Sequence, residues 1–201
     1  MRWYFELKGE ETPRLSSKLV DCDSCRVHPP HYRMSEYSPK NKCCEFSPFI
    51  SSFAAGALIE QGTDLRRIVE ESGGELVPTQ LGIVHNQSHR KKVRSLCRFY
   101  DSNSRGCQIW QQRPPTCYTF FCVTEKTKQW EPLENKWLEE ETGWLKQWFQ
   151  KLDLSEDVWA EWGLYMEADP LVELPEALKF EKWEIAESLY VESLNWLRDQ
   201  C

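Results

Sequence analysis

The sequence predicts an α+β fold that is mainly α, with a small cysteine-rich module followed by a helical part. Three observations lead to this class. Eight of the nine cysteines lie in residues 22–122, and eight of the ten tryptophans follow residue 123. Short β-favouring runs fill residues 75–110. We therefore expect an irregular module over residues 1–125, with a short β-hairpin and two helices, and an acidic Trp-rich helical extension over residues 126–201 that packs on it.

The composition permits one sizeable core. The chain of 201 residues and 23.8 kDa is 40% hydrophobic and 28% charged, which excludes wholesale disorder. It has no run of roughly 18 apolar residues, which a membrane span requires. Its first residues lack the basic, apolar and small-residue order of a signal peptide. We expect a soluble, cytoplasmic protein with no membrane partner.

Charge is divided unevenly along the chain. Residues 1–122 carry 17 Lys and Arg against 13 Asp and Glu, whereas residues 123–201 carry 8 against 19, so the second part accounts for the net charge of -7. Phosphate binding needs clustered cations, so this balance argues against a nucleic-acid surface along the chain. The basic run over residues 90–94 is more typical of a solvated strand approach than of an RNA contact.

The first ninety residues predict two helices after a long irregular part. Residues 1–20 alternate too briefly for more than a short strand, and prolines make residues 26–42 a loop. Residues 49–61 carry apolar side chains at helical spacing, and Gly62 ends that helix. Residues 64–72 have the same pattern and predict a second, shorter helix.

A β-hairpin is predicted next. Residues 96–100 and 107–110 favour strands, and the turn-rich residues 101–106 connect them. Cys97 and Cys107 would then lie near each other on paired strands. Pro114 and Pro115 end the second strand before Cys117.

Three amphipathic helices are predicted after residue 123. Residues 137–152 form one apolar stripe with tryptophans. Ser155 with two acidic residues behind it predicts the N-cap of another helix. Pro175 at a first-turn position opens a third.

The cysteines predict a metal site. Without an export signal, the reducing cytosol favours thiolate ligation over disulfides. Cys22 and Cys25 have the Cys-x-x-Cys spacing that lets one turn supply two thiolates to one ion. The adjacent Cys43 and Cys44 point in different directions in most backbones, which favours more than one metal or a cluster. The cofactor is zinc or iron, and spacing alone does not separate zinc from an iron-sulfur cluster.

The candidate metal ligands are the eight clustered cysteines: Cys22, Cys25, Cys43, Cys44, Cys97, Cys107, Cys117 and Cys122. His28 and His31 follow Cys25 at spacings that suit imidazole ligands, yet the prolines between them and the abundance of thiols favour loop histidines. Cys201 is expected to be an unengaged terminal thiol. Arg113 is expected to lie behind the ligands, where its charge would stabilise an anionic thiolate site, the alternative being an ordinary salt bridge.

The order of these motifs resembles the YkgJ-type cysteine-cluster family of zinc- or iron-chelating domains. The resemblance covers about residues 20–125 and rests on Cys22-x-x-Cys25, Cys43-Cys44, Cys97-Arg98-Phe99-Tyr100, Gly106-Cys107-Gln108-Ile109-Trp110 and Arg113-Pro114-x-x-Cys117. The closing Cys122 and the Trp-rich tail look like a bacterial subgroup. This chain departs from the family in the 17 residues between Cys25 and Cys43 and in Arg98, where proline is usual. The resemblance implies metal binding and no particular reaction.

The sequence therefore favours a metal-binding cysteine-cluster protein. Two alternatives stay open: a redox or metal-dependent enzyme built on an iron-sulfur cluster or an open coordination site, and an adaptor that binds a protein partner through residues 126–201. No Gly-rich phosphate loop, Gly-x-Ser-x-Gly or His-Glu-x-x-His occurs, so common kinase, hydrolase and metalloprotease interpretations lack support.

Overall fold

The computed structural model describes residues 2–11, 48–86, 97–101, 106–109, 112–115, 117, 124–167, 172–180 and 182–201. Six α-helices in these ranges confirm the predicted mainly helical α+β class. The helices are α1 (Arg2–Lys8), α2 (Ser52–Glu60), α3 (Leu65–Glu71), α4 (Thr124–Lys151), α5 (Glu156–Met166) and α6 (Trp183–Gln200). The strands are β1 (Ile50–Ser51), β2 (Leu76–Thr79), β3 (Gly82–His85), β4 (Tyr100–Asp101) and β5 (Gly106–Cys107).

The chain divides into two compact units. The first holds Met1–Pro48 and Arg94–Trp137, and the second holds Phe49–Val93 and Leu138–Cys201. Helix α4 contributes its residues up to Trp137 to the first unit and those from Leu138 to the second. The sequence-based division into a metal-binding module over residues 1–125 and a helical extension over 126–201 stays a prediction. It is a division by metal binding, whereas the two units are defined by compactness.

The first unit begins with helix α1, where the sequence predicts at most a short strand, so that prediction is wrong. Trp3, Tyr4 and Phe5 are only 6%, 4% and 3% exposed. The ring of Phe5 packs edge to face against Trp137, with centroids 5.1 Å apart. Three consecutive aromatic residues show no helical period, so burial of their large side chains decides the conformation rather than local pattern.

The second unit is built on a three-stranded antiparallel sheet in the order β1-β3-β2. Thr79 pairs with Gly82 across the turn between β2 and β3, and the hydroxyl of Thr79 donates to the Gly82 carbonyl at 2.7 Å. Gly82 has φ +140°, and a Cβ there would lie 2.1 Å from the carbonyl oxygen of Ile50. Only glycine lets β1 approach β3 this closely.

Helices α2 and α3 lie where the sequence predicts them. Ser51 caps α2 by accepting the Ala54 N–H at 3.3 Å, and Asp64 caps α3 by accepting the Arg67 N–H at 3.0 Å. Helix α2 begins later than predicted because Ile50 and Ser51 pair with β3 as β1. The Ser51 hydroxyl also donates to the carboxylate of Glu141, at 2.5 Å.

The apolar stripe predicted over residues 137–152 is buried in part, since Leu138, Trp144 and Leu152 remain partly exposed. Leu145, Trp148 and Phe149 are at most 4% exposed within the second unit. Ser155 stands at the N-cap position of α5, as predicted, although its side chain makes no capping hydrogen bond.

The third predicted helix does not open at Pro175. A 3₁₀ helix, Glu176–Leu178, follows that proline, and α6 starts only at Trp183. Tertiary pairing explains the difference, since Lys179 forms a β-bridge with Thr79 and the Leu178 carbonyl accepts the Gln80 N–H at 2.8 Å. These bonds hold the chain extended before α6 begins.

Candidate metal centre

The predicted hairpin is present and carries one of the candidate ligands, Cys107. Tyr100 pairs with Cys107 and Asp101 with Gly106, and the Gln108 N–H donates to the Phe99 carbonyl at 2.8 Å. Cys97 precedes the first strand and is 8% exposed, while Cys107 on the second strand is partly buried. The hairpin is confirmed, with strands of only two residues each. The prediction that Cys97 and Cys107 lie on paired strands is wrong, because Tyr100 and not Cys97 stands opposite Cys107.

A tight turn leads from the hairpin to the third candidate ligand in the described residues, Cys117. The Gln112 N–H donates to the Ile109 carbonyl at 2.9 Å, and the Cys117 N–H donates to the Pro114 carbonyl at 3.0 Å. Ile109 is 3% exposed, which fixes the start of this turn in the core. Strand β5 ends at Cys107, so the prediction that Pro114 and Pro115 end it is wrong, because the turn begins at residues 108–109 before the prolines are reached.

Arg113 lies beside both Cys107 and Cys117. Its Nη1 donates to the Cys117 carbonyl at 3.5 Å, and its charge acts on the Cys107 thiol in the direction that lowers that pKa. The guanidinium therefore connects the end of the hairpin with the turn that follows it. A fixed positive charge near the Cys107 thiol favours its ionised form, which is the form that binds metal.

Burial nevertheless raises the pKa of the Cys107 thiol above its usual 9.0. A hydrogen bond from the Ile109 backbone and the charge of Arg113 both oppose this effect, without cancelling it. A thiol in this setting stays protonated at neutral pH, because the surrounding groups stabilise a thiolate less than water would. A bound metal ion would supply the missing positive charge, since coordination deprotonates a thiol outright.

Only part of the predicted ligand set lies in the described residues. Cys97, Cys107 and Cys117 carry thiols rather than disulfides there, as does the exposed Cys201. Among the described residues, no group of three or more His, Cys, Asp or Glu side chains is placed to hold a metal ion. The remaining candidates lie outside the described residues: Cys22, Cys25, His28, His31, Cys43, Cys44 and Cys122.

Sequence reasoning missed the contribution of helix α1 and Gln112. The backbone N–H of Trp3 donates to Oε1 of Gln112 at 2.9 Å, across 109 positions of sequence. This bond holds α1 against the turn between Cys107 and Cys117. The one sequence signal for it was the aromatic run Trp3-Tyr4-Phe5, whose size marks it for burial.

Comparisons with protein-family models, with curated proteins and with solved structures gave no match to this chain. The resemblance to the YkgJ-type family therefore rests on the cysteine motifs alone and stays a prediction. In the described part of the chain, no helix has the length and apolar character needed to cross a bilayer.

Proposed function

We propose that the chain is a metal-binding cysteine-cluster protein whose thiolates hold zinc or iron, the latter as an ion or in an iron-sulfur cluster. Cys97, Cys107 and Cys117 would supply part of the ligand set from the first compact unit, together with cysteines from residues 22–44 and Cys122. Four soft ligands per centre satisfy either metal.

The position of Arg113 is the observation that carries this proposal. Its guanidinium reaches the Cys117 carbonyl at 3.5 Å and acts electrostatically on the Cys107 thiol. From the sequence we expect Arg113 to lie behind the ligands, where a positive charge would offset the negative charge of a multi-thiolate centre, and these two interactions support that expectation. Cys107 and Cys117 are both partly buried, which suits a metal centre that must be shielded from water and from competing thiols in solution.

Elemental analysis of anaerobically purified protein tests the proposal, with an ultraviolet-visible spectrum of the same sample. We expect stoichiometric zinc without colour, or iron with matching acid-labile sulfide and a visible band. Cys107→Ser and Cys117→Ser should each lose metal and melt at a lower temperature. Cys201→Ser is the matched control, because that thiol is exposed and lies outside the candidate set. Full metal content in both variants would remove these two residues from the ligand set.

The same spectrum separates the redox alternative from a structural or chelating role, whereas the adaptor alternative needs a test of partner binding. A band bleached by dithionite favours redox chemistry, whereas a colourless zinc protein favours a structural or chelating role. An adaptor function predicts a protein partner that is lost when charge on residues 126–201 is removed. Both alternatives stay predictions from the sequence.

A further inference from the structure

Three buried polar atoms in the first unit have no hydrogen-bond partner among the described residues. They are Nε1 of Trp3, the hydroxyl of Tyr4 and Nε2 of Gln112. These residues are 6%, 4% and 1% exposed, so solvent water has little access to hydrogen-bond with them. A buried polar group without a partner is rare in native proteins and destabilises the fold, so a cluster of three indicates a missing acceptor.

The three groups are held together by contacts of their own. The Trp3 backbone N–H donates to Oε1 of Gln112 at 2.9 Å, which orients the Gln112 amide and leaves Nε2 as its open end. The ring of Tyr4 stands edge-on to Trp3, with centroids 6.0 Å apart. Helix α1 and the turn at Gln112 are therefore in direct contact, and the three donors lie on these two adjoining elements.

The turn at Gln112 belongs to the stretch of chain that carries the thiols. Gln112 lies between Cys107 and Cys117 and next to Arg113. Its N–H bonds to the carbonyl of Ile109, the residue whose backbone also hydrogen-bonds the Cys107 thiol. The turn thus already directs one N–H group at sulfur.

The chemistry of the three groups suits an electron-rich acceptor, and the thiolates expected beside Gln112 are such acceptors. Indole and amide N–H groups only donate, and a phenol hydroxyl donates readily. Metal-bound thiolates carry negative charge and accept such bonds, which lower the charge on sulfur and tune affinity and reduction potential. The donors therefore complement an anionic multi-thiolate centre.

We propose that Trp3, Tyr4 and Gln112 donate hydrogen bonds to the metal-bound thiolates and thereby strengthen metal binding. This inference rests on the proposed function and identifies the positioning residues of the same centre. It also gives helix α1 a role in the centre, although α1 contributes no ligand.

Two substitutions remove donors with little change of shape. Tyr4→Phe deletes only the hydroxyl. Gln112→Glu keeps the Oε1 acceptor for Trp3 but replaces the amide donor with an acceptor that repels thiolates. Ser52→Ala is the matched control, because Ser52 is fully buried in the second unit and its hydroxyl also has no partner among the described residues. Phe5→Leu controls for lost packing in α1, since Phe5 carries no donor.

The experiment binds Co²⁺ to each metal-free full-length variant under anaerobic conditions. Competition with a chelating dye gives the dissociation constant, and the spectrum gives the thiolate-to-cobalt charge-transfer band. We expect Tyr4→Phe to weaken binding about tenfold and Gln112→Glu about a hundredfold. The band should move to longer wavelength in both, because sulfur that accepts fewer hydrogen bonds gives up an electron more easily. Ser52→Ala should match the wild type, and Phe5→Leu should keep the wild-type band.

Thermal melting of the metal-free protein is a second measurement, in which we expect stability to rise for a variant whose metal affinity falls. Removing a hydroxyl that lacks a partner should raise the melting temperature of metal-free Tyr4→Phe by about 2–4 °C while metal binding weakens. A lower melting temperature with unchanged affinity would mean that the hydroxyl has a protein partner, and it would overturn the inference. An unshifted band in both Tyr4→Phe and Gln112→Glu would overturn it too, even if binding weakened, because lost stability alone weakens binding.

Failure of the proposed function gives a different result. A wild-type chain that binds no Co²⁺ and contains no zinc or iron after purification would overturn both the proposed function and this inference. A wild-type chain that binds metal, with donor variants identical to it in affinity and band, would overturn this inference and leave the proposed function intact.

Discussion

Gly56 of helix α2 lies directly against the backbone of Tyr190 in helix α6. A Cβ atom at position 56 would be 2.3 Å from the Tyr190 carbonyl oxygen, nearer than real Cβ atoms come to any heavy atom. Ala54, Ala55 and Ala57 beside it in sequence are at most 3% exposed, and Phe53 one turn earlier stacks on Trp196 of α6. The two helices therefore pack at a distance that only glycine permits.

We expect Gly56→Ala to destabilise the protein by about 1–3 kcal/mol, because the added methyl group must push two helix backbones apart. Chemical denaturation at equilibrium measures the change. Gly143→Ala is the matched control, since Gly143 is exposed within helix α4 and a Cβ there meets nothing within 4 Å. The free energy of unfolding of Gly143→Ala should rise by about 0.5–1 kcal/mol, because alanine has a better helix propensity than glycine. Equal effects at the two sites would contradict the close approach.

Tyr190 also ties α6 to the β2–β3 turn through its hydroxyl. The hydroxyl is buried and directed at the carbonyl oxygens of Thr79 and Gly82, at 3.0 and 3.2 Å. Burial raises the pKa of Tyr190 far above its usual value, so the phenol stays protonated and donates at any working pH. Tyr190→Phe should cost about 1–3 kcal/mol, because it leaves buried carbonyl oxygens with fewer donors. Tyr165→Phe, which removes a less buried bond to the His85 carbonyl at 3.0 Å, should cost less in the same denaturation experiment.

Glu141 gives the second unit a pH-dependent stability. Burial raises the pKa of its carboxyl above the ordinary 4.5, and the hydrogen bond from Ser51 opposes that rise. At pH values between 4.5, the ordinary pKa of the carboxyl in the unfolded chain, and its higher pKa in the folded protein, the folded protein binds more protons than the unfolded chain. Its stability therefore falls as pH rises across that window and is constant above it.

Glu141→Gln should remove this slope and raise the melting temperature at pH 7, because glutamine keeps the acceptor for Ser51 without a buried charge. A gain of about 2–4 °C corresponds to about 1 kcal/mol for a chain of this size. Glu139→Gln makes the same charge change at an exposed position of helix α4 and should leave the slope in place. A steeper pH dependence in Glu141→Gln than in the wild type would refute the raised pKa.

Arg113 supplies the prediction for the metal centre. Arg113→Gln should weaken metal binding about tenfold, because it removes the charge beside the Cys107 thiol and the donor to the Cys117 carbonyl. Arg113→Lys should recover part of the affinity, since it keeps the charge but loses the planar guanidinium. Competition with a chelator measures both. Arg66→Gln, a change of an exposed arginine in the second unit, should match the wild type.

Elements with local signals were predictable from the sequence. Helix α3 was predicted from the apolar spacing within residues 64–72, and the structure adds a cap at Asp64, whose side chain accepts the third N–H of the helix. The turn-rich residues 101–106 likewise marked the hairpin that carries Cys107. Arg113 was placed near thiols because Cys107 and Cys117 flank it closely in sequence.

Elements set by distant contacts were not predictable. Pro175 carries the local signal of a helix start, yet Leu178 and Lys179 bond to residues near position 80 instead. Helix α1 depends on burial against Trp137 and on Gln112, more than 100 positions away in sequence. No periodicity in seven residues reports such partners.

The bond from Tyr190 to Thr79 joins residues 111 positions apart. On a ribosome that adds roughly 5–20 residues per second, the sheet and helix α2 therefore wait on the order of 5–20 s before α6 emerges to cover them. Ile50, Phe53 and Leu58, which are fully buried in the finished protein, stay accessible during that interval. Co-translational folding of this unit thus ends late, and chaperones that bind apolar segments have their main opportunity between the synthesis of residues 93 and 183.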